Sequence, residues 1–156
     1  MSVLVVGVNH RTAPIDLLER IALDAQGVAK AVSGLVALDS VREAVVLSTC
    51  NRTEVYAIAE LFHRGFDDIQ HALATTAGVD VETLGSHMYA EHDDAAVRHL
   101  FSVAAGLDSM VLGEGEVLGQ VRDAWEIARA EEAARSGLNL LFRHAVETGK
   151  RARTDT

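Results

Sequence analysis

One cysteine stands in this 156-residue chain, and its surroundings are polar. Cys50 sits in the stretch VVLSTCNRTEVY, between two apolar runs, with Ser48, Thr49, Asn51, Arg52 and Thr53 around it. A lone cysteine is usually a small buried apolar side chain. The alternative is a nucleophile, which needs the thiolate. A free thiol with pKa ~8.5 is only about 3% ionised at pH 7, so a neighbouring cation is required to raise that fraction. Arg52 supplies one if the turn brings both side chains to the same side. Alone it would read as a solvated turn residue. The consecutive amides of Asn51 and Arg52 could then stabilise a developing oxyanion.

Two further groups could join this chemistry. His99 lies in AVRHLFSVA, whose apolar stripe reads as Val97, Leu100, Phe101 and Ala104. That puts the imidazole on the opposite face, either exposed or lining a second interface. There it could serve as general acid or base. His10, at the end of GVNH, is a weaker candidate. No histidine set has metal-ligand spacing with the cysteine, so a zinc site is not expected. The stretch GLDSMVLGEGEVLGQV fails as a dinucleotide fingerprint. G-x-G-x-x-G needs glycine at 118, which is leucine, and Glu114 and Glu116 would face the phosphates. It reads instead as a glycine-held polar cluster of Asp108, Ser109, Glu114, Glu116 and Gln120, either binding an amino group or facing solvent.

The elements that must position these groups follow from periodicity. Strands are expected over 3–10, 42–49, 54–61 and 86–92, with 50–53 linking the middle pair as an antiparallel hairpin. Helices are expected after Pro14, over 25–38 with Asp24 as N-cap, over 65–78 with Gly78 as stop, and over 92–107 with Asp93 as cap. Residues 108–121 read as a loop, followed by two closing helices separated near Ser136 and Gly137. The order β-α-β-β-α-β followed by helices predicts an α+β fold: a ferredoxin-like split βαβ, with a four-stranded antiparallel sheet, helices packed on it and C-terminal helices after it.

Composition narrows the function. Fourteen Lys+Arg against 23 Asp+Glu give a net charge of −9, which argues against broad nonspecific nucleic-acid binding. Twelve arginines and two lysines favour bidentate carboxylate or phosphate recognition. The N-terminus lacks a basic n-region and a cleavage site, and no run reaches the ~18–20 apolar residues of a membrane span. A cytoplasmic protein is expected, without a membrane partner. The helix ending in RARTDT reads as a chain cut within a connector.

GVNHRTAP, LSTCNRTEVY, AVRHLFSVAAGLDS and GLDSMVLGEGEVLGQV, in this order, resemble the N-terminal catalytic domain of the glutamyl-tRNA reductase family over essentially the whole chain. One departure is Gly115, where that family often has proline. The resemblance implies that Cys50 attacks the aminoacyl ester of glutamyl-tRNA to form a glutamyl thioester. NADPH then reduces the thioester to glutamate-1-semialdehyde for tetrapyrrole and haem biosynthesis. It implies that Thr49, Asn51, Arg52, Ser109, Glu114, Gly115, Glu116 and Gln120 bind the glutamyl substrate, and that His99 assists the thiol or the leaving oxygen. Electrostatics would divide the work, with Arg52 on the γ-carboxylate and the acidic loop on the α-ammonium. Residues 1–140 would be the catalytic domain and 141–156 the start of a connecting spinal helix. The NADPH-binding and dimerisation domains would lie downstream, so no cofactor and no metal is expected on this stretch. The full enzyme would be a homodimer, with glutamate-1-semialdehyde aminotransferase as a candidate partner. Two other classes remain open: a redox-active thiol protein, because a turn cysteine beside arginine is primed for oxidation, and a small-molecule regulatory domain.

Overall fold

The computed structural model describes residues 1–107 and 116–154. Its elements are β1 (Ser2–Asn9), α1 (Ile15–Ile21), α2 (Ala25–Val36), β2 (Val41–Ser48), β3 (Arg52–Ala59), α3 (Phe62–Ala77), α4 (Val81–Gly85), β4 (Tyr89–His92), α5 (Asp94–Ala104), α6 (Glu116–Ala130) and α7 (Ser136–Thr154). The strands form one sheet in the order β2-β3-β1-β4, antiparallel at every junction. This is the expected split βαβ arrangement, with α1 and α2 crossing over from β1 to β2, and α3 and α4 from β3 to β4.

Helices cover both faces of the sheet. On one face α3 packs so closely that a Cβ on Gly65 would stand 2.8 Å from Ala59 Cβ and 3.1 Å from a Leu4 methyl. On the other, Phe142 of α7 meets Tyr56 edge-on at 5.5 Å, and α5 approaches β1 and β4. α6 lies along β2 and bridges α2 to α7. A strand buried on both faces has no polar side to display, which is why β3 alternates poorly in sequence. Arg52 to Ala57 are all buried.

Local signals end the elements where expected in several places. Asp24 accepts from the Gly27 N–H at 2.8 Å and caps α2. Gly78 adopts φ 67° and closes α3. Pro14 precedes α1 in extended conformation. The structure differs elsewhere. α3 starts at Phe62 rather than 65, α4 falls where no element was expected, and β4 is shorter than 86–92. Asp93 does not cap α5 through its side chain. Its φ is 52°, and its Oδ1 accepts from the Val3 N–H of β1 at 3.3 Å, pinning the turn to the sheet.

α7 is fixed by a carboxylate from the sheet. Glu43 Oε1 accepts from the Arg135 and Leu138 N–H groups at 2.7 and 2.9 Å, satisfying the helix start. Gly137 makes room for it, since a Cβ there would lie 2.8 Å from Glu43 Oε2 and 2.6 Å from Ile58 Cδ1. The 140/141 division falls inside α7, whose Leu138, Phe142, Ala145 and Val146 are buried in the same core as the sheet.

Candidate active site

The β2–β3 hairpin closes through Thr49, Cys50 and Asn51. The Thr49 N–H donates to Arg52 O at 2.8 Å, and the Asn51 N–H donates to Thr49 Oγ1 at 3.1 Å. The loop is tied to the end of β1, because the His10 N–H donates to Asn51 O at 2.9 Å. Below it, Ser48 Oγ and Thr53 Oγ1 lie 2.9 Å apart, and Ser48 Oγ also accepts from the Leu23 N–H at 2.9 Å. Cys50 is therefore an exposed, reduced thiol on a loop braced from three sides. It borders a cavity of about 500 Å³, whose opposite wall is α1.

Arg52 is not part of the turn. It is the first residue of β3, with its side chain 1% exposed. Residues 52, 54 and 56 alternate onto the face covered by α5 and α7, and there they build a buried polar cluster around Glu54. Glu54 Oε2 faces Arg52 Nη1 at 3.3 Å and His99 Nε2 at 2.5 Å, and accepts from the Tyr89 hydroxyl. Its Oε1 accepts from the Tyr56 hydroxyl at 2.8 Å. The register explains how groups from three elements meet. Gly7 of β1 stands opposite Glu54 on β3 and opposite Tyr89 on β4. Having no side chain, it leaves open the space through which Tyr89 reaches the carboxylate.

Burial pushes the Glu54 carboxyl upward, but the His99 hydrogen bond and charge, the Arg52 charge and the Tyr89 hydrogen bond outweigh it. The pKa is held below the ordinary 4.5. Glu54 is a carboxylate at neutral pH despite being fully buried. Burial and the Glu54 charge both push Tyr56 well above its ordinary 10.0, so its hydroxyl stays a donor.

His99 also corrects the helix face read from sequence. The buried side of α5 runs through Ala96, Leu100, Val103 and Ala104, while Val97 and Phe101 are only partly buried. His99, 18% exposed, belongs to this inward side and not to the opposite one. Thus Arg52 and His99 are brought together on Glu54. Cys50 is not among the groups that close on this carboxylate. The Asn51 amide expected at an oxyanion is engaged by Thr49. Glu116 and Gln120 are not in a loop. They lie in the first turns of α6, where Glu116 is exposed and Gln120 lines a cavity of about 150 Å³ with Ser48 and Asp123. Ser109, Glu114 and Gly115 lie outside the described residues.

Sequence reasoning missed Glu54, Tyr56, Tyr89 and Gly7. One signal was available: Arg52, Glu54 and Tyr56 at spacing two share a strand face, and a cation, an anion and a phenol on one face of an apolar strand must satisfy one another.

Among the described residues no group of three or more His, Cys, Asp or Glu side chains could hold a metal ion, and no helix is long and apolar enough to cross a membrane.

Fold and site define a class: an α+β domain that presents a thiol on a hairpin, with a buried carboxylate on the strand that follows paired to an imidazole from α5. The family model described as Glutamyl-tRNAGlu reductase, N-terminal domain, matches residues 6–156. The chain belongs to this family. It is 50% identical over 156 residues to the glutamyl-tRNA reductase of Frankia alni, covering 100% of this chain and 33% of that protein. It is 48% identical over 156 residues to that of Streptomyces avermitilis, covering 100% of this chain and 27% of the relative. The solved glutamyl-tRNA reductase of Methanopyrus kandleri superposes with TM-score 0.79 at 34% identity, covering 99% of this chain and 35% of that one. The chain thus spans about a third of the length of these relatives.

Proposed function

We propose that this chain is the acyl-accepting catalytic domain of a glutamyl-tRNA reductase. The Cys50 thiolate attacks the ester carbonyl joining glutamate to the tRNA 3′ end. A C–S bond forms, the C–O bond to ribose breaks, and the ribose oxygen leaves with a proton. A thioester is more electrophilic toward hydride than an oxygen ester, so the covalent step divides a hard reduction into two easier ones. The observation that carries this reading is the convergence of Arg52 and His99 on Glu54, beginning two residues beyond an exposed thiol.

In this reading His99 exchanges a proton with the thiol or the leaving oxygen, and Glu54 holds its ring in place. Thr49, Asn51, Arg52, Ser109, Glu114, Gly115, Glu116 and Gln120 contact the glutamyl group. Arg52 meets the substrate carboxylate only where the substrate reaches the end of the sheet, because its guanidinium is buried against Glu54. Residues 1–140 act as the catalytic unit, and 141–156 begin the connecting spinal helix.

The described residues do not fit NADPH. Their sheet is antiparallel throughout, and Gly119, the nearest approach to a phosphate-binding fingerprint, stands inside α6. In the whole enzyme NADPH would supply the hydride from a domain outside this chain, where a homodimer would also form. The setting would be the cytoplasm and haem biosynthesis, with the aminotransferase that consumes glutamate-1-semialdehyde as a candidate partner.

The test is incubation with tRNA charged with labelled glutamate, read by intact mass. A glutamyl adduct on the wild-type chain that is absent from Cys50→Ser is expected. Rapid peroxide consumption without an adduct would instead establish the redox reading. Neither signal would leave a binding module.

A further inference from the structure

Two tyrosine hydroxyls from different strands close on the same carboxylate. Tyr56 of β3 donates to Glu54 Oε1 at 2.8 Å, and Tyr89 of β4 donates to Oε2. Glu54 and Tyr56 are two residues apart on one strand, so the pleat alone sets that pair. Tyr89 arrives from the edge of the sheet. It crosses Gly7 of β1, which stands in register with both Glu54 and Tyr89. The register therefore opens a gap at one position of β1, and the Tyr89 side chain passes over it.

A carboxyl group turns about its last torsion at little cost. A hydroxyl on one oxygen would leave the other free to swing. With a hydroxyl on each oxygen the plane of the Glu54 carboxylate is fixed, and Oε2 is presented to His99 Nε2 at 2.5 Å. Arg52 Nη1 stands farther from the same oxygen, at 3.3 Å. The His99 ring lies beside both phenols, with centroids 5.6 Å from Tyr89 and 6.4 Å from Tyr56.

This arrangement decides which imidazole nitrogen carries the proton. An ionised carboxylate accepts hydrogen bonds and donates none, so the nitrogen that faces it must be the N–H. In the neutral ring that nitrogen is Nε2, and the lone pair is left on Nδ1. The opposite tautomer would set two acceptors against each other at 2.5 Å.

We propose that Tyr89 is a positioning residue for acyl transfer: by fixing the second oxygen of Glu54 it holds the neutral His99 ring in the tautomer protonated on Nε2, so that Nδ1 is the atom that exchanges the proton. The proposal rests on the reading above that His99 takes part in the acylation of Cys50. Nδ1 takes the proton that the thiol gives up and returns it to the ribose oxygen as that oxygen leaves. Nε2 keeps its own proton throughout, and Glu54 stabilises the imidazolium between the two transfers. Tyr89 acts through Glu54, and its hydroxyl keeps its proton in every step.

The first test reads the ring without any substrate. Nitrogen-15 shifts are recorded at about pH 9, above the ~6.5 of an ordinary imidazole. The chain has seven histidines, and His99→Gln identifies the signals of His99 by their loss. Wild-type His99 is expected to show a protonated Nε2 and a bare Nδ1. Tyr89→Phe keeps the ring of a partly buried edge-strand residue and removes only the hydroxyl. It is expected to move both nitrogen shifts toward the average of the two tautomers. It is also expected to slow thioester formation about tenfold, the size of one hydrogen bond. In the His99→Gln background the same substitution is expected to cost nothing further, because the group it positions is gone. Equal slowing in both backgrounds, shifts unchanged by Tyr89→Phe, or wild-type His99 protonated on Nδ1 overturns the proposal. Shifts as expected without any glutamyl adduct from charged tRNA support the positioning of the ring by Tyr89 and overturn the donor reading, so the two failures are distinguishable.

Discussion

Glu54 and Tyr89 stand on either side of Gly7, in register on three neighbouring strands, and their side chains meet above it. A Cβ on Gly7 would lie 2.9 Å from both Cα and Cγ of Glu54. One of those contacts is backbone and cannot rotate away. Gly7→Ala is expected to destabilise the domain toward the upper end of the ~1–3 kcal/mol typical of overpacking. Urea denaturation measures it, and a midpoint equal to wild type would show that the strands can spread at no cost.

Removing the charge without the volume separates electrostatics from packing. Glu54→Gln leaves Arg52 buried without this counter-charge, and breaking such a pair costs about 3–5 kcal/mol. It also removes the carboxylate that faces His99 Nε2. His99→Gln, on a partly exposed residue, is expected to fold normally and lower the rate of thioester formation by about 10²–10⁴-fold, the usual contribution of general acid–base catalysis. Single-turnover labelling of Cys50 checks this. An unchanged rate would remove His99 from the chemistry.

Much of this arrangement could be read along the chain because the signals are local. A capping aspartate at 24, a left-handed glycine at 78 and apolar runs of strand length each depend on a few neighbouring residues. The cluster could not be read that way. Arg52 looks like a turn residue because a guanidinium beside Asn51 is normally solvated. It is buried because Glu54 lies two residues on, where the pleat returns to the same face. That Tyr89 reaches Glu54 depends on a glycine more than forty positions earlier in the chain, and no local pattern states such a register. The sequence puts His99 on the outward side of α5 because Ala96 and Val97 differ little as apolar markers, and tertiary packing selects Ala96. Residues 108–121 read as a loop, yet from Glu116 onward Val117, Leu118 and Val121 bury one side and carry the helix through Gly119.

The attachment of α7 is a separable device. Glu43 receives two main-chain N–H groups at the start of that helix, and α7 carries Phe142 onto Tyr56. Glu43→Ala leaves both N–H groups, that of Leu138 in a buried site and that of Arg135 in a partly buried one, without this acceptor. Hydrogen bonds to a charged group contribute about 1.5–3 kcal/mol each, so a loss near ~3 kcal/mol in total is expected. Hydrogen exchange should show the first turn of α7 opening while β1 and β3 stay protected. Uniform deprotection of the sheet would mean that α7 is not a separable element.

The ionisations in the cluster limit stability at both ends of the pH range. Among the described residues, Arg52, Tyr56, Tyr89 and His99 are the titratable groups that face Glu54. The folded pKa of Glu54 lies below the ordinary 4.5, so its contribution is complete above that value and is lost as pH falls through the folded pKa. Tyr56 has the opposite sign. Its folded pKa lies above the ordinary 10.0, so its contribution is complete below that value and is lost as pH rises through the folded pKa. The contributions of Glu54 and Tyr56 to the urea midpoint are therefore expected to be complete between these limits, the first being lost on the acid side and the second on the alkaline side. Tyr56→Phe removes the alkaline contribution but keeps the ring against Phe142, so its midpoint should approach that of wild type as the pH rises. Absorbance of tyrosinate should show Tyr56 ionising only as the protein unfolds. Ionisation of Tyr56 in the folded protein at the ordinary value would mean that neither burial nor the Glu54 charge acts on its hydroxyl.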